Sequence, residues 1–234
     1  MKTVHLHNYE EMSTYAYEII KAKLLHVNEP VLGLATGSTP ERLYELLIKG
    51  YTQEQLSFSN VTTFNLDEYI GLKPTDRNSY HYYMDEHLFR HINIRESHIH
   101  IPDGGTDNAE QECIRYEQLI KENGGIDVQL LGLGLNGHIG FNEPGTPFST
   151  QTHIVDLKPS TRKANARFFE REDDVPHQAI TMGIQTIMES KEILLLASGE
   201  KKRPAIKRLL EGEICEDFPA SILHNHPNVT VIIG

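Results

Sequence analysis

The chain has 234 residues and a formal net charge of −11, from 33 acidic and 22 basic side chains. That balance argues against a nucleic-acid partner gripped through its phosphates, and no run approaches the ~18 apolar residues that a membrane span needs. Two cysteines far apart in sequence, Cys113 and Cys215, argue against a disulfide framework and for a reducing, cytoplasmic setting. The N-terminus carries no apolar signal core.

Taken in order, residues 9–25 place Met12, Ala16, Ile19, Ile20 and Leu24 on one helical stripe. Residues 31–35 read as a buried strand. Residues 40–49 read as a helix, with Pro40 in its first turn and Gly50 just past its end. Residues 61–66 form a second predicted strand and 79–91 a helix. Asp107-Asn108-Ala109-Glu110 has capping-box form before a helix over 109–122, which stops near Gly124-Gly125. Residues 127–131 and 192–197 read as strands. A helix spans 201–210, with Pro204 moving its start toward 203, and a last strand covers 229–233. The alternation predicts one domain over 1–234, with parallel strands and helical crossovers on both faces. Strand 31–35 is apolar throughout, as a strand covered on both sides should be, and strand 127–131 is apolar at Val128, Leu130 and Leu131. Residues 140–159 are the least regular stretch and the candidate for a flap over a site.

Thirteen histidines include three His-x-His pairs: His5/His7, His98/His100 and His224/His226. Such spacing suits a metal on a strand face. No Asp or Cys cluster joins them, so they read as histidines at strand ends and no metal is expected.

Three loops carry chemistry. The first, Thr36-Gly37-Ser38-Thr39, follows a strand and opens a helix. Backbone N–H groups and hydroxyls at a helix start make an anion site, although helix capping by Thr39 is the simpler alternative. It lacks the Gly-Lys-Ser/Thr ending of a nucleotide-binding P-loop. The second, Asn65-Leu66-Asp67-Glu68-Tyr69, puts adjacent carboxylates at a strand end. One of them can face a pocket as a general base, and a turn is the plain alternative.

The third runs from Gly132 to Pro144. Gly132-x-Gly134-x-x-Gly137 fits a dinucleotide fingerprint, with Asp156 at a suitable distance for the ribose. That reading needs a helix after the glycines, and Gly140, Pro144, Gly145 and Pro147 are poor helix material. The better reading makes the glycines room for a ligand. His138 is then a proton shuttle, with Asn136 and Glu143 to orient it or fix its charge.

Together with residues 34–40, 63–72 and 134–144, the stretch 161–169 (Thr161-Arg162-Lys163-Ala164-Asn165-Ala166-Arg167-Phe168-Phe169) resembles the glucosamine-6-phosphate deaminase (glucosamine-6-phosphate isomerase) family. The likeness runs nearly the full length of the chain. It implies an α/β fold, three-layer and Rossmann-like, with a mostly parallel sheet flanked by helices. It also implies conversion of glucosamine 6-phosphate and water to fructose 6-phosphate and ammonia, with no cofactor. By motif position it makes Asp67 the base between C2 and C1 and His138 the ring-opening acid/base, supported by Asn136 and Glu143. It assigns Thr36, Gly37, Ser38 and Thr39 to the phosphate, with Arg167 and Lys202 as a cationic clamp.

Larger, allosteric relatives carry Asp where this chain has Asn136, and an effector segment where it has Thr150 to Val155. The short form is therefore expected: a monomer or small homo-oligomer, not activated by N-acetylglucosamine 6-phosphate. A lactonase of the same general fold would need no C2 proton transfer. A sugar-phosphate sensor would dispense with the shuttles, and the chain has no basic DNA-binding segment.

Overall fold

The computed structural model describes residues 1–158, 162, 169, 171 and 174–234. In chain order these form β1 (Lys2–His5), α1 (Tyr9–His26), β2 (Val31–Leu34), α2 (Glu41–Gln53), β3 (Thr62–Asn65) and β4 (Asp67–Tyr69). Then come α3 (Tyr80–His87), β5 (Ile99–His100), α4 (Ala109–Glu122), β6 (Val128–Gly132), β7 (His153–Asp156) and β8 (Gln178–Thr181). The last are α5 (Ile184–Met188), β9 (Ile193–Ala197), α6 (Arg203–Glu211) and β10 (Val229–Ile233).

Among the described residues, seven strands pair in the order β1-β10-β9-β6-β2-β3-β5, all parallel. β2 and β9 are buried at every position. This is why they read as unbroken apolar runs. Each fully buried Leu of β9 contributes about 1.5–3 kcal/mol of burial. The helices have local reasons to start: Asn8 accepts from the Glu11 N–H, Ser79 from Tyr82 and Asn108 from Gln111.

The chain moves outward from β2 to β3 to β5, then returns so that β6 lies on the other side of β2. The order therefore reverses between β2 and β6, the point at which open parallel sheets carry their ligands, outside the strand carboxyl ends.

A second sheet, β4-β8-β7, is antiparallel and lies outside the sequence reading. Its strands have three or four residues, too short for a periodic signal, and β7 falls in the stretch read as irregular. After β3, the Leu66 N–H still bonds the Leu34 carbonyl, while the Leu66 carbonyl accepts from Met182. Asp67 is thus the first residue to leave the large sheet for the small one.

Three helix boundaries need correction. Gly50 lies inside α2, not beyond it. A Cβ there would fall 2.6 Å from both Leu56 and the Tyr17 hydroxyl, so Gly50 serves close packing rather than helix termination. The cap of α4 is Asn108, one residue later than the Asp107 box. The helix expected over 79–91 ends at His87 and tightens into a 3-10 turn, Phe89–His91.

Candidate active site

The carboxyl ends of β9, β6, β2 and β3, neighbours in that order, each bear one part of the predicted site. From β3 comes Asp67. It is 7% exposed, and among the described residues its carboxylate has no hydrogen-bond or ion-pair partner. Burial first, and the charge of Glu68 second, push its pKa up to about 8. It sits on a strand rather than in a turn, paired in register with Thr181. Glu68 points elsewhere and is fully engaged by backbone N–H groups and His81. The two adjacent carboxylates divide as strand geometry requires, one available and one structural. Beside Asp67 stands an aromatic wall: Tyr69 packs on Tyr80 and Phe141, and Tyr80 stacks on Phe141.

From β6 comes the His138 loop. The Asn136 amide donates from Nδ2 to Glu143 Oε2 at 2.7 Å, while its Oδ1 lies 2.7 Å from His138 Nδ1. A carboxylate only accepts, so Glu143 fixes which way the amide faces. The amide oxygen in turn requires a proton on His138 Nδ1. This leaves Nε2 as the unprotonated nitrogen of the neutral ring. Glu143 also lies 3.9 Å from Nδ1 and draws the ring's pKa up, but burial outweighs it and the net shift is downward. Asn136 therefore sets tautomer and orientation, and Glu143 supplies the charge.

The glycines of this loop are not mainly ligand clearance, as the sequence reading had them. A Cβ on Gly134 would fall 2.4 Å from the His138 ring, and one on Gly137 2.2 Å from the Phe218 ring. The protein's own side chains take that space, and of the three only Gly132 faces open volume. No helix follows, and residues Ile139 and Asn142 bridge instead. Asp156 accepts from Gln178 within the small sheet. The dinucleotide reading has neither of its anchors.

From β2 comes the Thr36–Thr39 loop. Two tyrosine hydroxyls hold its carbonyls, Tyr83 on Gly37 at 2.8 Å and Tyr9 on Ser38 at 2.9 Å, and a third, Tyr44, holds that of Ala35 just before it at 2.5 Å. The N–H groups of Thr36, Gly37, Ser38 and Thr39 donate to no acceptor among the described residues. α2 has no side-chain cap, so capping by Thr39 does not account for the loop. Gly37 has φ +89° with open space where a Cβ would stand. Unspent amides around open space at a helix start form an anion cradle.

From β9 comes Lys202, half-buried, its ammonium on the Leu133 carbonyl and its pKa lowered by burial. Arg167 lies outside the described residues. Among those residues no three His, Cys, Asp or Glu side chains converge as a metal centre would need. The His-x-His rings serve elsewhere: His98 bonds the Val61 carbonyl, His224 that of Leu209 and His226 that of Ser190. Sequence reasoning missed the tyrosines. The run Tyr80-His81-Tyr82-Tyr83 was the available signal.

A loop of unspent amides, a carboxylate with no partner among the described residues and an oriented imidazole share one sheet edge, and the relatives of the chain fit that set. A relative from Geobacillus sp. (strain WCH70), named a glucosamine-6-phosphate deaminase, is 59% identical over 99% of this chain and 92% of its own. Another of that name from Oceanobacillus iheyensis is 56% identical over 99% and 93%. A solved structure described as a monomeric glucosamine-6-phosphate deaminase superposes with a TM-score of 0.98, at 55% identity over 100% of this chain and 97% of that one. The model of the glucosamine-6-phosphate isomerases/6-phosphogluconolactonase family matches residues 8–232. With 225 of its residues inside one family model and relatives above half identity at both levels, the chain belongs to the glucosamine-6-phosphate isomerase/6-phosphogluconolactonase family.

Proposed function

We propose that the protein converts glucosamine 6-phosphate and water to fructose 6-phosphate and ammonia, a step of amino-sugar catabolism. The observation that carries this reading is Asp67, a buried carboxylate at the site edge with no partner among the described residues, its pKa pushed up to about 8 by burial. Such a group suits proton abstraction from carbon. Lactone hydrolysis needs no proton transfer from carbon. The names of the relatives favour the same substrate.

In this scheme the sugar phosphate binds through the N–H groups of Thr36, Gly37, Ser38 and Thr39. Lys202 leaves the Leu133 carbonyl to join them, and Arg167 is assigned as the second cation. Binding energy at the phosphate, remote from the reacting carbons, holds C1 and C2 in place. His138 Nε2 takes the O1 proton and returns it to the ring oxygen, opening the ring. Asp67 then takes the C2 proton while the substrate's ammonium gives one proton to O1, leaving a neutral C1–C2 enolamine, and Asp67 delivers its proton to C1. The resulting C2 iminium adds water and expels ammonia. Asn136 and Glu143 keep Nε2 available throughout.

No cofactor is needed for this sequence of proton transfers. A single domain over 1–234, acting as a monomer in the cytoplasm, is the unit proposed. The described monomeric relative and the two free cysteines support it. The test is incubation of purified protein with glucosamine 6-phosphate, without added metal or nucleotide. Ammonia and fructose 6-phosphate are expected in equal amounts. Ammonia release no faster than the uncatalysed rate, at saturating substrate, sinks the reading.

A further inference from the structure

We propose that Glu68 is a positioning residue for this reaction: its carboxylate ties the strand of Asp67 to the start of α3 and, through α3, to the anion loop. The inference rests on the function proposed above.

Glu68 is 1% exposed, yet its two oxygens receive four donors. Oε1 accepts from the N–H of Tyr69 at 2.8 Å and of Tyr80 at 3.0 Å. Oε2 accepts from the N–H of His81 at 3.0 Å and lies 2.9 Å from His81 Nδ1. The Tyr80 and His81 amides belong to the first turn of α3, whose N–H groups have no partner within the helix. Ser79 satisfies only Tyr82. A side chain from β4, twelve and thirteen residues back, satisfies the other two. The helix start is thereby fixed to the strand that bears the base.

α3 then reaches the cradle. The Tyr83 hydroxyl holds the Gly37 carbonyl, and the Tyr80 ring stacks on Phe141 beside Tyr69. Releasing the Glu68 clamp therefore loosens the loop that holds the phosphate and the wall that faces the sugar. A neutral side chain could cap the helix start with less desolvation. The charge has a second consequence, because Glu68 disfavours ionisation of Asp67 next to it. The groups facing this pair are His81 and Tyr80 of α3, Tyr69 of β4 and Tyr116 of α4.

The test compares wild type, Glu68→Gln and Tyr83→Phe by two measurements. One is calorimetric titration with inorganic phosphate. The other is kcat/KM for glucosamine 6-phosphate across pH. Gln keeps an oxygen for Tyr69 and Tyr80 but turns N–H groups toward His81. Phosphate binding by Glu68→Gln is expected to weaken about tenfold. The rising limb of kcat/KM is expected to move to lower pH by about one unit, because Asp67 loses a like charge. Tyr83→Phe is expected to weaken phosphate binding severalfold with the limb in place.

Wild-type phosphate affinity and an unmoved limb in Glu68→Gln, with a lower Tm alone, would make the residue merely structural and overturn the proposal. Should Glu68→Gln fail to fold, unchanged phosphate affinity in Tyr83→Phe breaks the path from α3 to the loop and overturns it equally. Absence of wild-type turnover would strike the proposed function instead. The phosphate titration still reads the clamp in that case.

Discussion

The two loops that flank the sheet's reversal point are built in opposite ways. The His138 loop organises itself: Asn136 reaches Glu143 seven residues on and His138 two residues on, and Gly134 makes room for the His138 ring. The anion loop is organised from outside. Its Ser38 and Gly37 carbonyls are held by Tyr9 and Tyr83, which lie 29 and 46 residues away. The first loop presents a side chain whose proton must sit on one nitrogen, and a short local network fixes that. The second presents bare N–H groups, and these face outward only because their own carbonyls are held from behind. Chemistry and binding are thus assigned to separate frames, with Asp67 between them on β4.

Asp67→Asn is the sharpest way to separate the frames. Turnover is expected to fall about 10²–10⁴-fold, while inorganic phosphate binds as in wild type, by calorimetry. In the wild type, kcat/KM is expected to rise through a limb near pH 8, where Asp67 loses its proton. The substrate's ammonium favours the carboxylate, so the corresponding limb of kcat lies at lower pH. Stability shows the same group with the opposite sense. The folded state holds the Asp67 proton more tightly than the unfolded chain does. The contribution is therefore fully present below the ordinary carboxylate range and is lost as pH rises toward 8. Asn carries no charge to desolvate. At pH 8 the variant is expected to melt at least about 2 °C above wild type, with the gap closing toward pH 4. A Tm gap that did not change with pH would remove Asp67 as the cause.

Asn136→Ala breaks only the local frame. His138 loses its acceptor at Nδ1 and the proton is free to move to Nε2, the nitrogen the reaction needs bare. A fall in kcat of about 10²-fold is expected, with phosphate affinity unaltered. A parallel loss of phosphate affinity would mean that the two loops are one unit after all.

The contrast also sorts what sequence could and could not tell. The His138 network was legible because its members lie within eight residues and their chemistry is complementary. The parallel strands were legible because burial on both faces leaves unbroken apolar runs such as Ile193–Ala197. The tyrosine scaffold was not, because nothing local to Tyr9 or Tyr44 names a carbonyl on another element. The small sheet escaped for a similar reason: Asp67–Tyr69 has three residues, and its partner Gln178–Thr181 lies far along the chain. The glycines were seen but misassigned. A sequence shows that space is required at Gly50, Gly134 and Gly137, and only packing shows that Tyr17, Leu56, His138 and Phe218 fill it.

Two glycines carry the comparison to its smallest expected effect. Gly37 and Gly137 have nearly the same backbone, at φ +89° and +87°. Alanine at either position brings about 1–2 kcal/mol of left-handed strain. At Gly137 the new methyl also meets the Phe218 ring, adding about 1–3 kcal/mol of overpacking. At Gly37 it meets nothing within 4 Å and stands in the volume assigned to the anion. Denaturant unfolding should therefore rank Gly137→Ala as the less stable variant, while phosphate titration should rank Gly37→Ala as the weaker binder. The two orders are opposite because one glycine makes room for the protein and the other for its ligand. Equal losses of stability would deny the packing at Gly137. Undiminished phosphate affinity in Gly37→Ala would mean that the open volume behind Thr36–Thr39 is not where the anion sits.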